Sequence, residues 1–227
     1  MKQKLHSLLL MVVLLSWSMV IAASDFDDGI LKYTITSPSN LEVQCDGFTD
    51  AHKNDESVVI PETVNYNNRT YAIITVKGFS GRKISSVKLS QSLKTIGNSA
   101  FYGCSNLKEI EIPNGIETIG DHAFWSCGLS SVVIPTSVKK IGSYAFENNR
   151  SLMEVFFLGS EKPEIGSNVF YYCHSALTLY VPNKEAYGNA RNMVQYVSFP
   201  TSTYTYTGMA PKLEWQNNLK GYTATLE

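Results

Sequence analysis

The residues of this chain that could do chemistry are few and scattered. Its four histidines are His6, His52, His122 and His174. His6 falls in the N-terminal leader. His52 stands near Asp50 and Asp55, a set that could hold a cation, although a polar segment of this kind is ordinarily a solvated loop. His122 and His174 occupy positions whose residue type changes along the chain. Glu109 and Glu111 point the same way from one extended segment. A glycoside hydrolase needs carboxylates on both sides of the scissile bond, and one strand supplies no opposite wall. Gly-rich phosphate loops, Gly-x-Ser-x-Gly and His-Glu-x-x-His are all missing from the sequence. No catalytic, cofactor-binding or metal-ligating residue is therefore expected, no cofactor is called for, and the chain reads as a non-enzyme.

The cysteines point to organisation rather than reactivity. Cys104, Cys127 and Cys173 each lie three residues after a phenylalanine, and Asn149 holds that position once. Stacked strands lie about 5 Å apart, close enough for a disulfide between neighbours. Recurrence at one structural position accounts for the spacing without pairing, so buried free thiols are expected. Cys45 has no obvious partner. Asn68-Arg-Thr70 and Asn149-Arg-Ser151 match the N-glycosylation acceptor pattern.

Behind the cysteines is a repeat. Ile-Gly recurs at 96–97, 119–120, 141–142 and 165–166, at spacings of 22 to 24 residues. Four residues after each glycine comes Phe101, Phe124, Phe146 or Phe170. An alternating apolar pair with a proline follows: Ile110, Ile112 and Pro113; Val132, Ile134 and Pro135; Leu179, Val181 and Pro182. One copy reads Val155, Phe157 and Leu158 without the proline, and a degenerate earlier copy has Phe79, Val87 and Leu89. The segment Leu107 to Ile112 alternates with the period of a strand, and Pro113 ends it. Ile119 to Phe124 reads as a tight turn, permitted by Gly120, and a short helical or irregular stretch. One unit cannot bury its apolar faces, whereas stacked units form a continuous column.

The run Leu107…Ile110-Glu-Ile-Pro113, Ile116-Glu-Thr-Ile-Gly120, Ala123-Phe124-Trp-Ser-Cys127 resembles the BspA-like leucine-rich repeats of bacterial surface proteins. The resemblance covers about residues 76–190. Asp28 to Ile35, Val58 to Val64 and Tyr71 resemble the strands that precede such repeats, and Leu179 to Pro182 with Ala186-Tyr187 resembles a closing repeat. It implies a right-handed leucine-rich-repeat solenoid, one short strand per repeat of roughly 23 residues. It also implies a secreted or surface-attached protein, some relatives being similar to adhesins that bind host proteins.

Around this core, Lys2 and Lys4 precede an apolar run from Leu8 to Ile21, closed by Ala22-Ala23. That is the pattern of a secretory signal over residues 1–23, shorter than the ~20 residues of a membrane span. No membrane span is expected after its cleavage. Residues 24–75 read as a β-rich N-terminal cap and 76–197 as the solenoid with its closing segment. Residues 198–227 read as a linker and an incomplete β segment, with alternation at Tyr204–Gly208 and Gly221–Thr225. The chain has 227 residues, 44% apolar and 17% charged, with a formal net charge of -1. It lacks the basic field that nucleic acid requires.

Aligning the repeats yields one candidate surface. The row Lys88, Glu111, Val133, Phe156 and Tyr180 faces away from the core, and it turns from charged to apolar along the stack. Three apolar side chains in line form a patch of the kind that marks a binding surface, unless the chain's own tail covers it. The expected partner is a protein or glycan outside the cytoplasm, with host matrix proteins among the candidates. Two alternatives stand beside an exported binding module: an accessory domain of a larger enzyme or transport system, and a structural spacer.

Overall fold

The computed structural model describes residues 25–175, 177–182, 186 and 212–215. The signal expected at 1–23 lies outside the described residues. So do most of the closing segment and most of the tail.

Alternation in the N-terminal part produces paired strands. β1 (Asp25–Asp27), β2 (Leu31–Ser37) and β3 (Glu42–Phe48) run antiparallel in succession. β2 buries Leu31, Tyr33 and Ile35 and turns Lys32 outward. Two further strands, β5 (Thr63–Tyr66) and β6 (Arg69–Val76), form a hairpin whose turn places Asn67 and Asn68 at φ 49° and 58°. Asparagine tolerates that left-handed conformation. Parallel pairing of β6 with β3 on one side and with β8 (Thr95–Ile96) on the other joins this region to the repeats without a break.

From β8 onward the sheet is a parallel ladder of two-residue strands. β9 (Thr118–Ile119), β11 (Lys140–Ile141) and β13 (Glu164–Ile165) follow β8 in order, with Ile96, Ile119, Ile141 and Ile165 as successive register partners. A second ladder comprises β10 (Ser131–Ile134), β12 (Glu154–Phe157) and β14 (Thr178–Val181). β15 (Lys212–Trp215) extends it in parallel, Tyr180 standing opposite Glu214. β4 (Ser57–Val59) and β7 (Ser86–Lys88) make a separate parallel pair.

Between the ladders runs the apolar column. Phe79, Phe101, Phe124, Phe146 and Phe170 stack with nearly parallel planes, their centroids 5.5, 5.5, 5.2 and 5.7 Å apart. All five are essentially inaccessible to solvent. Phe48 meets the first ring edge-on at 5.1 Å, and Phe157 meets the last at 6.5 Å. Burial contributes about 1.5–3 kcal/mol per ring, and each ring pair adds about 0.5–1.5 kcal/mol.

Backbone bonds keep the same spacing. On the phenylalanine side of each rung the amides point forward. Ser99, Phe101 and Gly103 donate to the carbonyls of Asp121, Ala123 and Trp125, and His122, Phe124 and Ser126 repeat the pattern one rung on. Just after each Ile-Gly, Asp121 N donates to Asn98 Oδ1 (3.0 Å), Ser143 N to Asp121 Oδ1 (2.7 Å) and Ser167 N to Ser143 Oγ (3.2 Å).

Three expectations need correction. A repeat carries up to two strands instead of one. The Ile119 segment, read as a turn, begins with a strand whose two residues are too few for periodicity and are held by cross-rung bonds. Gly120 is not needed for a left-handed turn, since its φ is not positive. A side chain there would collide with Asn98 Oδ1 of the neighbouring rung, so the glycine secures close approach. Finally, Leu107 to Ile112 buries Leu107, Ile110 and Ile112 and exposes Glu109 and Glu111 as the alternation requires, yet it is not a strand of either ladder. Periodicity reports burial. A ladder also needs a partner backbone in hydrogen-bonding reach.

Phe124 lies between two stacked rings, so Phe124→Ala should cost about 3–5 kcal/mol in equilibrium urea unfolding. A loss under about 1 kcal/mol would show that the column is not the main support.

Candidate functional site

The outer ladder determines where the expected row falls. Val133, Phe156 and Tyr180 are register partners on β10, β12 and β14. Phe156 and Tyr180 stack at 4.5 Å with planes 6° apart, and Tyr180 Oη donates to Glu154 Oε1 at 3.2 Å. Phe156, expected in the open, is only 4% exposed. It stands apart from the contiguous core, so it is a covered residue of the outer face. Val133 and Tyr180 are half-buried. Glu111 and Lys88 are exposed, but Lys88 belongs to the β4–β7 pair, opposite Val59. The five residues therefore do not form one uninterrupted row. The in-register part is its apolar end, beside the edge that β15 joins.

A second surface went unnoticed in the sequence. Two residues before and two after the column phenylalanine, the backbone adopts the left-handed conformation. Ser99, His122, Tyr144 and Asn168 hold the first position, and Gly103, Ser126, Asn148 and Tyr172 the second, with φ between 53° and 71°. Between them the phenylalanine and the residue before it stay in the core, while the residue directly after it is only half-buried. Tyr102 and Trp125, each directly after a column phenylalanine, stack at 4.5 Å and 9°. His122 stacks on Tyr144 at 4.9 Å, and Tyr171 meets Tyr172 at 4.1 Å. Trp125 Nε1 donates to Glu147 Oε2 at 3.0 Å. The signal available in the sequence was the aromatic residue after the phenylalanine in three of four repeats: Tyr102, Trp125 and Tyr171.

The recurring cysteine position has a defined task. The Sγ–H of Cys104 donates to Phe79 O, that of Cys127 to Phe101 O, and that of Cys173 to Phe146 O, at 3.1 to 3.2 Å. Asn149 performs the same duty with its amide, donating to Phe124 O at 2.8 Å, and its Oδ1 also accepts from Leu129 N. The four cysteines are free and buried, as expected. Burial raises their pKa: Cys104 to about 11, Cys173 and Cys45 to about 12, Cys127 higher still. They are inert structural donors. Asn149 is fully buried and cannot be a glycan acceptor in the folded protein, whereas Asn68 is exposed.

The remaining candidates stay dispersed. His52 Nδ1 pairs with Asp55 Oδ2 at 2.8 Å, while Asp50 turns to Lys32 at 3.8 Å. Among the described residues no group of three or more His, Cys, Asp or Glu could hold a metal ion. No helix among them is long and apolar enough to cross a membrane.

Parallel rungs stacked on an apolar column, with varied residues outside, define a leucine-rich-repeat protein. This chain belongs to the BspA type leucine rich repeat family, whose model matches residues 72–191 in six copies. It is similar in structure to a T. pallidum leucine-rich repeat protein (28% identity, TM-score 0.58, covering 70% of this chain and 72% of the other). A Bacteroides ovatus leucine-rich repeat protein is also similar (24% identity, TM-score 0.53, 70% and 48%). So is the pneumococcal vaccine antigen PcpA (20% identity, TM-score 0.59, 74% and 52%). The chain thus spans about half the length of the last two. No curated protein sequence matches it.

The thiol assignment predicts a pH dependence. A thiol raised from its usual 9.0 to about 11 favours folding while it stays protonated. That stability is complete below about pH 8.5, and is lost as pH rises toward the folded value. Thermal unfolding between pH 8 and 11 should show a steeper decline for the native chain than for a Cys104→Ser/Cys127→Ser/Cys173→Ser variant. Parallel curves would rule out the buried thiols as a source of the slope.

Proposed function

We propose that this chain is an exported, non-enzymatic binding module that engages a protein or glycan outside the cytoplasm, with cell-surface adhesion as its setting. The observation that carries the reading is the placement of aromatic side chains in register outside the column: Phe156 with Tyr180, Tyr102 with Trp125, His122 with Tyr144. A rigid scaffold holding rings at fixed spacing lowers the ordering cost of association, and tyrosine and tryptophan are the residues that anchor interfaces. Family membership supports the same reading, because leucine-rich repeats generally serve as protein-binding surfaces. The leader pattern at 1–23 and the similarity to a pneumococcal antigen support export. Residues 24–75 serve as the cap, 76–197 as the binding scaffold and 198–227 as its tail.

On the outer face, Val133 and Tyr180 make the contact, Phe156 supports Tyr180 from the adjacent strand, and Glu111 and Lys88 contribute from earlier rungs outside this ladder. A second reading rests on β15, whose pairing with β14 brings the tail to the edge of this face, so that cover by the tail is the alternative.

Single substitutions separate the two. Under the binding reading, Tyr180→Ser weakens capture of the partner at least tenfold, and the thermal midpoint falls only by what its stack on Phe156 and its bond to Glu154 contribute, about 1–2 kcal/mol. Under the cover reading, Tyr180→Ser lowers the midpoint and leaves capture unchanged. Phe156→Ser lowers the midpoint in both cases, because Phe156 is buried. Separately, a panel of esterase, glycosidase and peptidase substrates should show no turnover, and activity that follows the protein through purification to homogeneity would refute the non-enzymatic reading.

A further inference from the structure

The outward position directly after the column phenylalanine holds Tyr102, Trp125, Glu147 and Tyr171 on four successive rungs. Tyr102 and Trp125 are one rung apart and touch face to face. Trp125 and Tyr171 are two rungs apart, and the glutamate occupies the level between. Column centroids at 5.2 and 5.7 Å give the two steps that separate those rungs. The aromatic ladder therefore has a gap at the level of Glu147.

The glutamate leaves the gap chemically unsatisfied. An indole N–H lies in the ring plane, so the bond from Trp125 Nε1 to Glu147 Oε2 holds the carboxylate at the rim of the ring rather than over its face. A carboxylate has about four acceptor sites, and Trp125 fills one. Among the described residues, none of the ion pairs involves Glu147. Arg150, three residues on, instead donates through Nε to Asn148 Oδ1 at 3.2 Å. Burial pushes the Glu147 pKa up, only partly opposed by the Trp125 bond and the charge of nearby His122. His122, the positive group acting on this half-buried carboxylate, forms no ion pair with it, so a closer cation would compensate its desolvation better.

We propose that the gap between Trp125 and Tyr171 receives the guanidinium of an arginine presented by a protein partner, with Glu147 as its counter-charge. The guanidinium is flat, stacks on aromatic faces and pairs with a carboxylate through two parallel N–H donors, three properties this site can use together. A lysine ammonium offers a point charge without the stacking plane. The inference rests on the binding-module reading and names the chemistry of its partner. It concerns a surface different from the outer ladder.

The test titrates the full chain with an acetylated, amidated Gly-Gly-Arg-Gly-Gly peptide and follows the Trp125 indole N–H by NMR. The expected result is a saturable shift that weakens at least tenfold in Glu147→Gln. The same peptide with citrulline, which keeps the shape and loses the charge, should give no shift. Trp125→Leu, followed by calorimetry, should also lose the peptide, and Glu109→Gln should bind as the native chain does. Thermal unfolding verifies that each variant is folded. Absence of a saturable shift, equal binding by Glu147→Gln, or equal binding of the citrulline peptide would overturn the proposal. Because the Tyr180 experiment reads the other face, a failure here leaves that result standing, and each can fail alone.

Discussion

One ring-to-ring distance governs this protein. Five phenylalanines stacked 5.2 to 5.7 Å apart set the separation of the rungs, and every other recurring feature has to accept it. Gly120, Gly142 and Gly166 of the Ile-Gly pairs lie where a Cβ would enter the neighbouring rung. Asn98, Asp121 and Ser143 follow an Ile-Gly pair because a short polar side chain reaches the next backbone amide. The cysteines persist because a thiol three residues past the ring reaches the carbonyl of the preceding phenylalanine. None of these contacts is strong alone. Repeated at each rung, they lock the register in which the rings stack.

That logic separates what could be read in the sequence from what could not. Residues facing the column repeat, because each rung presents the same environment to them, and so Phe101, Phe124, Phe146 and their neighbours declared the architecture. The shared role of Asn149 and the cysteines was legible as a position, but not as a hydrogen-bond donor to the ring carbonyl. Ile119 was misread as the start of a turn because the strand character of Thr118–Ile119 lies in pairing with residues 22 or 23 positions away, which no local pattern carries. The converse held at Leu107 to Ile112, where alternation described burial faithfully and ladder pairing wrongly. Phe156 shows a third limit. Its outward placement followed from register, whereas its burial depends on what lies over the outer face.

The aromatic edge escaped the sequence reading for a related reason. Tyr102, Trp125 and Tyr171 are each one residue from a core phenylalanine, and left-handed residues on both sides turn them out of the core. Tyr144 and Tyr172 occupy those left-handed positions themselves, at φ 60° and 55°, where glycine or asparagine would suit the backbone better. Their rings find partners on the same surface, Tyr144 on His122 and Tyr172 against Tyr171. In this protein the inward half of each rung serves the stack, and the outward half varies in residue type from rung to rung.

The account depends on the rungs behaving as one body, and native-state hydrogen exchange examines that directly. The amides of Phe101, Phe124 and Phe146 all donate forward to the next rung, and each can be followed singly. If the column unites the stack, the three should open with one free energy, equal to that of global unfolding from denaturant titration. A staircase of opening energies, falling from one end of the stack to the other, would mean that rungs come apart one at a time, contradicting the claim that the ring ladder is what holds them.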